Sequence, residues 1–203
     1  MKYTFNDTEY NISRYPSTDN KSLQAWNSAD EHILKYLDDK NISMSRLVIF
    51  NDRFGFISSM LNNYNPQVIV DSASQVKSII ANLQANNVGA ESLTILNPLD
   101  EIDTKVDCAI IKIPKSLDLF RLNLQQLSKV IDEGAHVVCG FMTKYFSPQI
   151  LEIASEYFEN VEQSLAWKKS RVLQLSKPKG TTDKPIINEI ELSENKFLKQ
   201  YFG

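Results

Sequence analysis

The chain has 203 residues, 42% of them hydrophobic and 23% charged, a globular composition that excludes a wholly disordered protein. Six glycines and seven prolines exclude a collagen-like or low-complexity sequence. The 22 basic and 25 acidic residues give a net charge of −3, too near balance to name a partner.

Residues 1–20 mix strand-like and turn-like signals, and Pro16 to Asn20 closes that segment. From Ser22 the spacing of Leu23, Trp26, Ile33, Leu34 and Leu37 predicts a helix, ending in the polar stretch Asp38–Ser45. A regular alternation follows. Leu47–Phe50 (LVIF) reads as a first buried strand and Phe54–Asn62 as a short helix. Val68–Val70 reads as a second strand and Ser72–Asn87 as a helix that Val88-Gly89 stops. Leu93–Leu96 is a third strand, closed by Asn97-Pro98, and Val106–Ile113 a fourth, closed by Pro114. Ser116–Glu133 is predicted helical, and Gly134 opens a fifth strand, Ala135–Phe141. Ser147 as N-cap and Pro148 at N1 begin a helix to about Asn160. Val161–Trp167 and Arg171–Leu175 follow as two strands, and Ile186–Leu192 alternates as a strand with one wet face.

Short apolar strands alternating with helices predict an α/β fold: a mostly parallel sheet, helices on both faces and an antiparallel edge from the last pair of strands. Residues 1–45 are expected to pack as an appendage on a main domain of residues 46–178, with residues 179–203 a strand and linker. No apolar run approaches the roughly 20 residues of a membrane span. The first residues, MKYTFNDTEYNISRYP, lack the apolar core of a signal peptide. Two cysteines and two histidines are too few for a metal site by themselves, so none is expected. Cys108 and Cys139 sit in apolar runs and read as buried thiols, which points to the cytoplasm.

Charge is unevenly spread. Asp30, Glu31, Asp38 and Asp39 make the early helix acidic. Residues 167–184 carry Lys168, Lys169, Arg171, Lys177, Lys179 and Lys184 against Asp183. This asymmetry fits either one face meeting a polyanion or a solvated charged surface.

In open α/β sheets the ligand crevice lies beyond the carboxyl ends of the strands. The first strand is followed there by Asn51-Asp52-Arg53-Phe54-Gly55. Asp71 ends the second strand, where nucleotide-binding sheets place an acid for ribose hydroxyls, although an acid there also caps the next helix. A divergent cofactor site would use Asp52, Asp71 and Asp100. Against it, the first turn keeps one glycine, and Arg53 and Phe54 fill the space a cofactor needs. Arg53, Lys112, Lys115 and Lys144 should project from the same edge, where they suit phosphates better than a sulfonium cation. With Lys168, Lys169 and Arg171 they form the candidate phosphate-backbone contacts. No catalytic set stands out. His32 and His136 read as structural, no serine sits in a nucleophile elbow, and Asp38-Asp39 reads as a helix end. Trp26 and Trp167 read as core anchors.

Four segments carry a resemblance: RYPSTDNKSLQAWNSADEHIL (Arg14–Leu34), VIFNDRFGFIS (Val48–Ser58), IIKIPKSL (Ile110–Leu117) and LAWKKSRVL (Leu165–Leu173). In this order they resemble the N-terminal half of the RlmG/RsmC-type ribosomal RNA guanine-N2 methyltransferases, closer to the large-subunit RlmG type. The resemblance implies a degenerate Rossmann-like methyltransferase fold. It implies that S-adenosylmethionine and the catalytic Asn-Pro-Pro-Phe motif belong to a C-terminal domain, the expected partner along with ribosomal RNA. Where those motifs would sit, this chain has Asn51–Phe56 and Lys112-Ile113-Pro114-Lys115. The chain alone is therefore expected to be non-catalytic, aiding RNA recognition and domain packing. Two rivals remain: an active methyltransferase with a divergent site, and a purely structural packing or dimerisation module. The ending ELSENKFLKQYFG reads as an approach to the second domain.

Overall fold

Alternation within single strands sets the layers. Leu47 and Ile49 face one side of the sheet, Val48 and Phe50 the other, and all four are buried. The computed structural model describes every residue except 21, 103–104, 181–186, 194–195 and 202–203. The sequence expectations at Asp183, Lys184 and Ile186 lie outside the described residues.

The chain opens with a hairpin of β1 (Lys2–Phe5) and β2 (Thr8–Asn11). Its two turn residues, Asn6 and Asp7, both have positive φ (46° and 59°), the turn whose twist matches paired strands. Helix α1 (Ser28–Asp39) starts six residues later than the apolar spacing predicts. The reason is a capping box: the Asn27 side chain accepts from a backbone N–H while Asp30 accepts from the Asn27 N–H at 2.8 Å. Ala25 and Trp26 are still buried, but as an extended entry rather than a helical turn.

The main sheet follows in chain order: β3 (Leu47–Phe50), α2 (Phe56–Met60), β4 (Gln67–Ile69), α3 (Ala73–Gln84), β5 (Thr94–Leu96) and β6 (Val106–Lys112). Then come α4 (Leu117–Val130), β7 (Ile131–Met142), α5 (Pro148–Tyr157), β8 (Phe158–Gln163) and β9 (Ser170–Pro178). The strand order is β5-β4-β3-β6-β7-β9-β8, with β5 to β7 parallel. Helices α1, α2 and α3 cover one face through Ile33, Leu37, Ile57 and Ile79. Helices α4 and α5 cover the other through Phe120, Leu124, Leu127, Ile153 and Tyr157.

The reversed strand is β9, antiparallel to both its neighbours, and it sits one place in from the edge. Composition explains the placement. Val172, Leu173 and Leu175 of β9 are fully buried and need cover on both faces, whereas the polar β8, FENVEQ, tolerates the edge. The fifth strand begins three residues before Gly134, because Ile131 pairs with Val106 directly after α4. A separate hairpin of β10 (Ile187–Ser193) and β11 (Lys196–Tyr201) follows the sheet. Among the described residues no helix is long and apolar enough to cross a membrane. Cys108 and Cys139 are both buried, and burial pushes the Cys108 thiol up to about 12 and the Cys139 thiol higher still.

Candidate functional site

The carboxyl ends of the parallel strands open onto a cleft of about 960 Å³. The turn after β3 forms its floor. Asn51 takes a left-handed φ of 61°, and its side-chain amide donates to the Lys112 carbonyl at 3.2 Å, tying β3 to β6. Asp52 then turns away from the cleft. It is 1% exposed, and one carboxylate oxygen accepts from the Ser58 backbone N–H (2.7 Å) and hydroxyl (2.8 Å). Burial raises its carboxyl above the ordinary range, against the pull of the Ser58 N–H bond.

Gly55 has φ of 77°, and a Cβ built there would lie 2.8 Å from the Ile79 backbone. The glycine therefore allows α2 and α3 to pack closely; it is not a gap beside a ligand. On the cleft side, the guanidinium groups of Arg14 and Arg53 approach the Phe54 ring at 4.9 and 5.1 Å.

Across the floor, the Lys112 ammonium reaches both oxygens of Asp30, at 2.7 and 2.8 Å. Asp30 has no exposure and Lys112 keeps a fifth of its side chain open. An unpaired carboxylate at that depth would carry a heavy desolvation cost, so this pair fastens α1 over the sheet. Trp26, stacked on Phe56 with ring centroids 5.1 Å apart, supports the α1 side of the cleft. At Gly140 a Cβ would lie 2.4 Å from Ile33, so the close approach of α1 to β7 also depends on a missing side chain.

Arg53, Lys112, Lys115 and Asp71 all line the cleft. Lys144 lies at its margin, with its ammonium 4.7 Å from the ring centre of the lining residue Tyr145. Of the three acids of the divergent-site reading, Asp71 alone lines the cleft, for Asp52 is buried beneath it. Asp100 closes its own turn, accepting from the Asn97 backbone N–H at 2.7 Å and side chain at 2.9 Å.

Lys168, Lys169 and Arg171 form a second group. Met142 at the end of β7 pairs with Ser170 at the start of β9, which puts the β8–β9 turn on the same sheet edge as the cleft. The turn is stiffly built. Trp167 and Ser170 exchange backbone bonds of 2.9 and 2.8 Å, and Lys168 and Lys169 hold positive φ of 45° and 62°. The Lys168 ammonium bonds Glu31 at 3.0 Å and lies 4.4 Å from the Trp167 ring centre. Arg171 makes a long 3.5 Å contact with the Ser164 carbonyl. Leu165, 90% exposed, stands at the tip.

Sequence reasoning missed Asp30, Arg14 and Tyr145. Nothing local marks Asp30 as the partner of Lys112, 82 positions away. His32 is buried, its Nδ1 3.1 Å from the Ser170 hydroxyl, and His136 meets the Gln174 amide at 3.1 Å. Both have structural partners. Among the described residues no cluster of three or more His, Cys, Asp or Glu could hold a metal ion.

The sheet order and the cleft at its carboxyl edge define a Rossmann-like methyltransferase fold. The T. thermophilus 16S rRNA methyltransferase RsmC, solved with AdoMet and guanosine, aligns with a TM-score of 0.65. The match covers 87% of this chain and 50% of that one at 16% identity. The ribosomal protein L11 methylase of Lactobacillus delbrueckii subsp. bulgaricus aligns with a TM-score of 0.61 at 12% identity, over 76% and 81% of the two chains. The chain belongs to the RLMG N-terminal domain family, whose profile matches residues 1–179. Ribosomal RNA large subunit methyltransferase G of Shewanella pealeana is 31% identical over 176 residues, 85% of this chain and 43% of that protein. Its namesake in Yersinia enterocolitica is 28% identical over 181 residues, 89% and 45% of the two chains. The chain thus spans less than half the length of these curated relatives.

The residues of the cleft fit S-adenosylmethionine poorly. A sulfonium and an ammonium would face Arg14, Arg53 and Lys115 with Asp71 as the one lining acid. The glycine of the first turn is committed to Ile79.

Proposed function

We propose that this chain is the non-catalytic N-terminal part of an S-adenosylmethionine-dependent ribosomal RNA guanine-N2 methyltransferase, where it grips RNA and packs against the catalytic domain. The observation that carries the reading is the floor of the cleft. Its backbone approach is closed by Arg53 and Phe54, and beside the Lys112–Asp30 pair its lining carries Arg14, Arg53 and Lys115 against one acid, Asp71. Such a surface favours phosphates. It joins the Lys168–Arg171 group along one sheet edge, so a single polyanion could span both. In this reading residues 1–45 are an appendage on the domain of residues 46–178, and residues 179–203 lead toward the catalytic domain. Exposed Ile190, Leu192, Phe197 and Leu198 on the β10–β11 hairpin support the packing role. Cofactor and catalysis then belong to the partner domain, and the protein works in the cytoplasm.

Calorimetric titration of S-adenosylmethionine into the chain tests the non-catalytic half of the reading. No saturable heat is expected up to about 1 mM, an affinity weaker than roughly −4 kcal/mol. Saturable micromolar binding would restore the divergent-site reading around Asp71. RNA affinity measured against salt tests the other half, and a flat, salt-independent response would remove RNA from the proposal.

A further inference from the structure

We propose that the cleft holds one unpaired ribonucleotide of the bound RNA, its phosphate on Arg53 and Lys115 and its base on Tyr145. This rests on the RNA-gripping reading and goes beyond it by naming a subsite. The volume of about 960 Å³ lies within the ~300–1,000 Å³ range of small-molecule sites, large enough for a nucleotide and too small to enclose a duplex.

Three observations select this ligand. First, Arg53 and Lys115 are exposed on the wall, and neither is engaged by Asp30, whose carboxylate takes Lys112. Second, Tyr145 is 55% exposed while lining the cleft, with the Lys144 ammonium 4.7 Å from its ring. An aromatic face beside a cation suits a base whose phosphate lies nearby. The other rings lining the cleft, Trp26, Phe54 and Phe141, are all buried, and Phe54 already faces two guanidiniums, so none of them offers a free platform. Third, Ser147, the N-cap of the ten-residue helix α5, lines the cleft and makes no side-chain bond to that helix, so a hydroxyl is present at the same wall. The N-terminus of α5 adds positive potential at the same wall. An acidic peptide would use the cations and leave Tyr145 idle.

The test compares a single-stranded oligoribonucleotide with a duplex of the same length, using the whole chain. The wild type should prefer the single strand several-fold, and guanosine monophosphate should compete where inorganic phosphate at equal concentration does not. Tyr145→Ala should weaken single-strand binding about tenfold, leaving duplex binding and the salt slope unchanged. Arg53→Ala with Lys115→Ala should flatten the single-strand salt slope by about 1.4, two contacts at roughly 0.7 each. All three residues are exposed, so circular dichroism should show a folded protein in each case. The inference is overturned if both variants bind single strands like the wild type. It is equally overturned if polyglutamate competes as well as the nucleotide. Loss of binding in Lys168→Glu/Lys169→Glu alongside unchanged cleft variants would sink the subsite and keep the RNA reading. No RNA binding by the wild type would sink both.

Discussion

Two basic regions share one edge of the sheet, and they are built differently. At the cleft, Lys112 lies over Asp30, which is wholly buried, and their contact joins β6 to α1. At the β8–β9 turn, Lys168 meets Glu31 on α1 as well, but its side chain is 58% exposed. Both pairs link a strand or turn to the same helix, at consecutive helix positions. Depth separates them. A buried carboxylate without its ammonium carries a large desolvation cost, whereas an exposed pair exchanges one set of polar contacts for water. The first pair holds the fold. The second leaves its lysine available to a phosphate at little cost. A sequence reading based on charge gives both lysines the same role.

The largest expected effect tests that contrast directly. Lys112→Ala should destabilise the chain by about 3 kcal/mol, because Asp30 stays buried without its partner. Lys168→Ala should change stability by less than about 1 kcal/mol. Urea unfolding of the two variants measures both, and equal losses would erase the distinction. Asp30→Asn on the Lys112→Ala background should recover a large share of the stability, since it removes the stranded charge.

Next in size is Gly55→Ala. The added Cβ meets the Ile79 backbone at 2.8 Å, on a residue with φ of 77°, so a loss of about 2 kcal/mol is expected. Gly134→Ala, with nothing within 4 Å of the new atom, is its control and should be near neutral.

The exposed region is read through RNA. Lys168→Glu with Lys169→Glu should weaken binding and flatten the salt slope while leaving the unfolding midpoint near that of the wild type. Unchanged binding would remove the turn from the interface.

The smallest effect is a pH dependence. Burial holds the Asp52 carboxyl above its ordinary value of 3.8, so the folded state binds its proton more tightly than the unfolded state. That stabilisation is full below 3.8 and is lost as pH rises through the raised folded value. Asp52→Asn removes this dependence, so the variant should gain on the wild type as pH rises above 3.8 through the raised folded value. A constant difference across that range would show that Asp52 does not titrate in this way.

The layers were legible in the sequence because continuous apolar runs such as Leu47–Phe50 supply apolar side chains to both faces of a strand. The strand ends were legible too: Asn97-Pro98 and Pro114 break backbone pairing by local chemistry, and Ser147-Pro148 opens α5. The start of α1 was misplaced because the apolar spacing of Leu23 and Trp26 overrode the Asn27–Asp30 capping box, which sets the true boundary. Leu23 is 43% exposed, so its place in that spacing was accidental.

The sequence by itself determined the parallel core, the buried thiols and the presence of cations after the strands, because each follows from residue type and local order. Only the tertiary structure decided which cation is committed. Lys112 and Asp30 are 82 positions apart and meet because α1 folds over β6. It also placed β9 inside the edge and brought Arg14 and Tyr145 to the cleft where Arg53 and Lys115 stand. Long-range packing chooses partners, and desolvation at the chosen depth decides whether a charge supports the fold or remains open to a ligand.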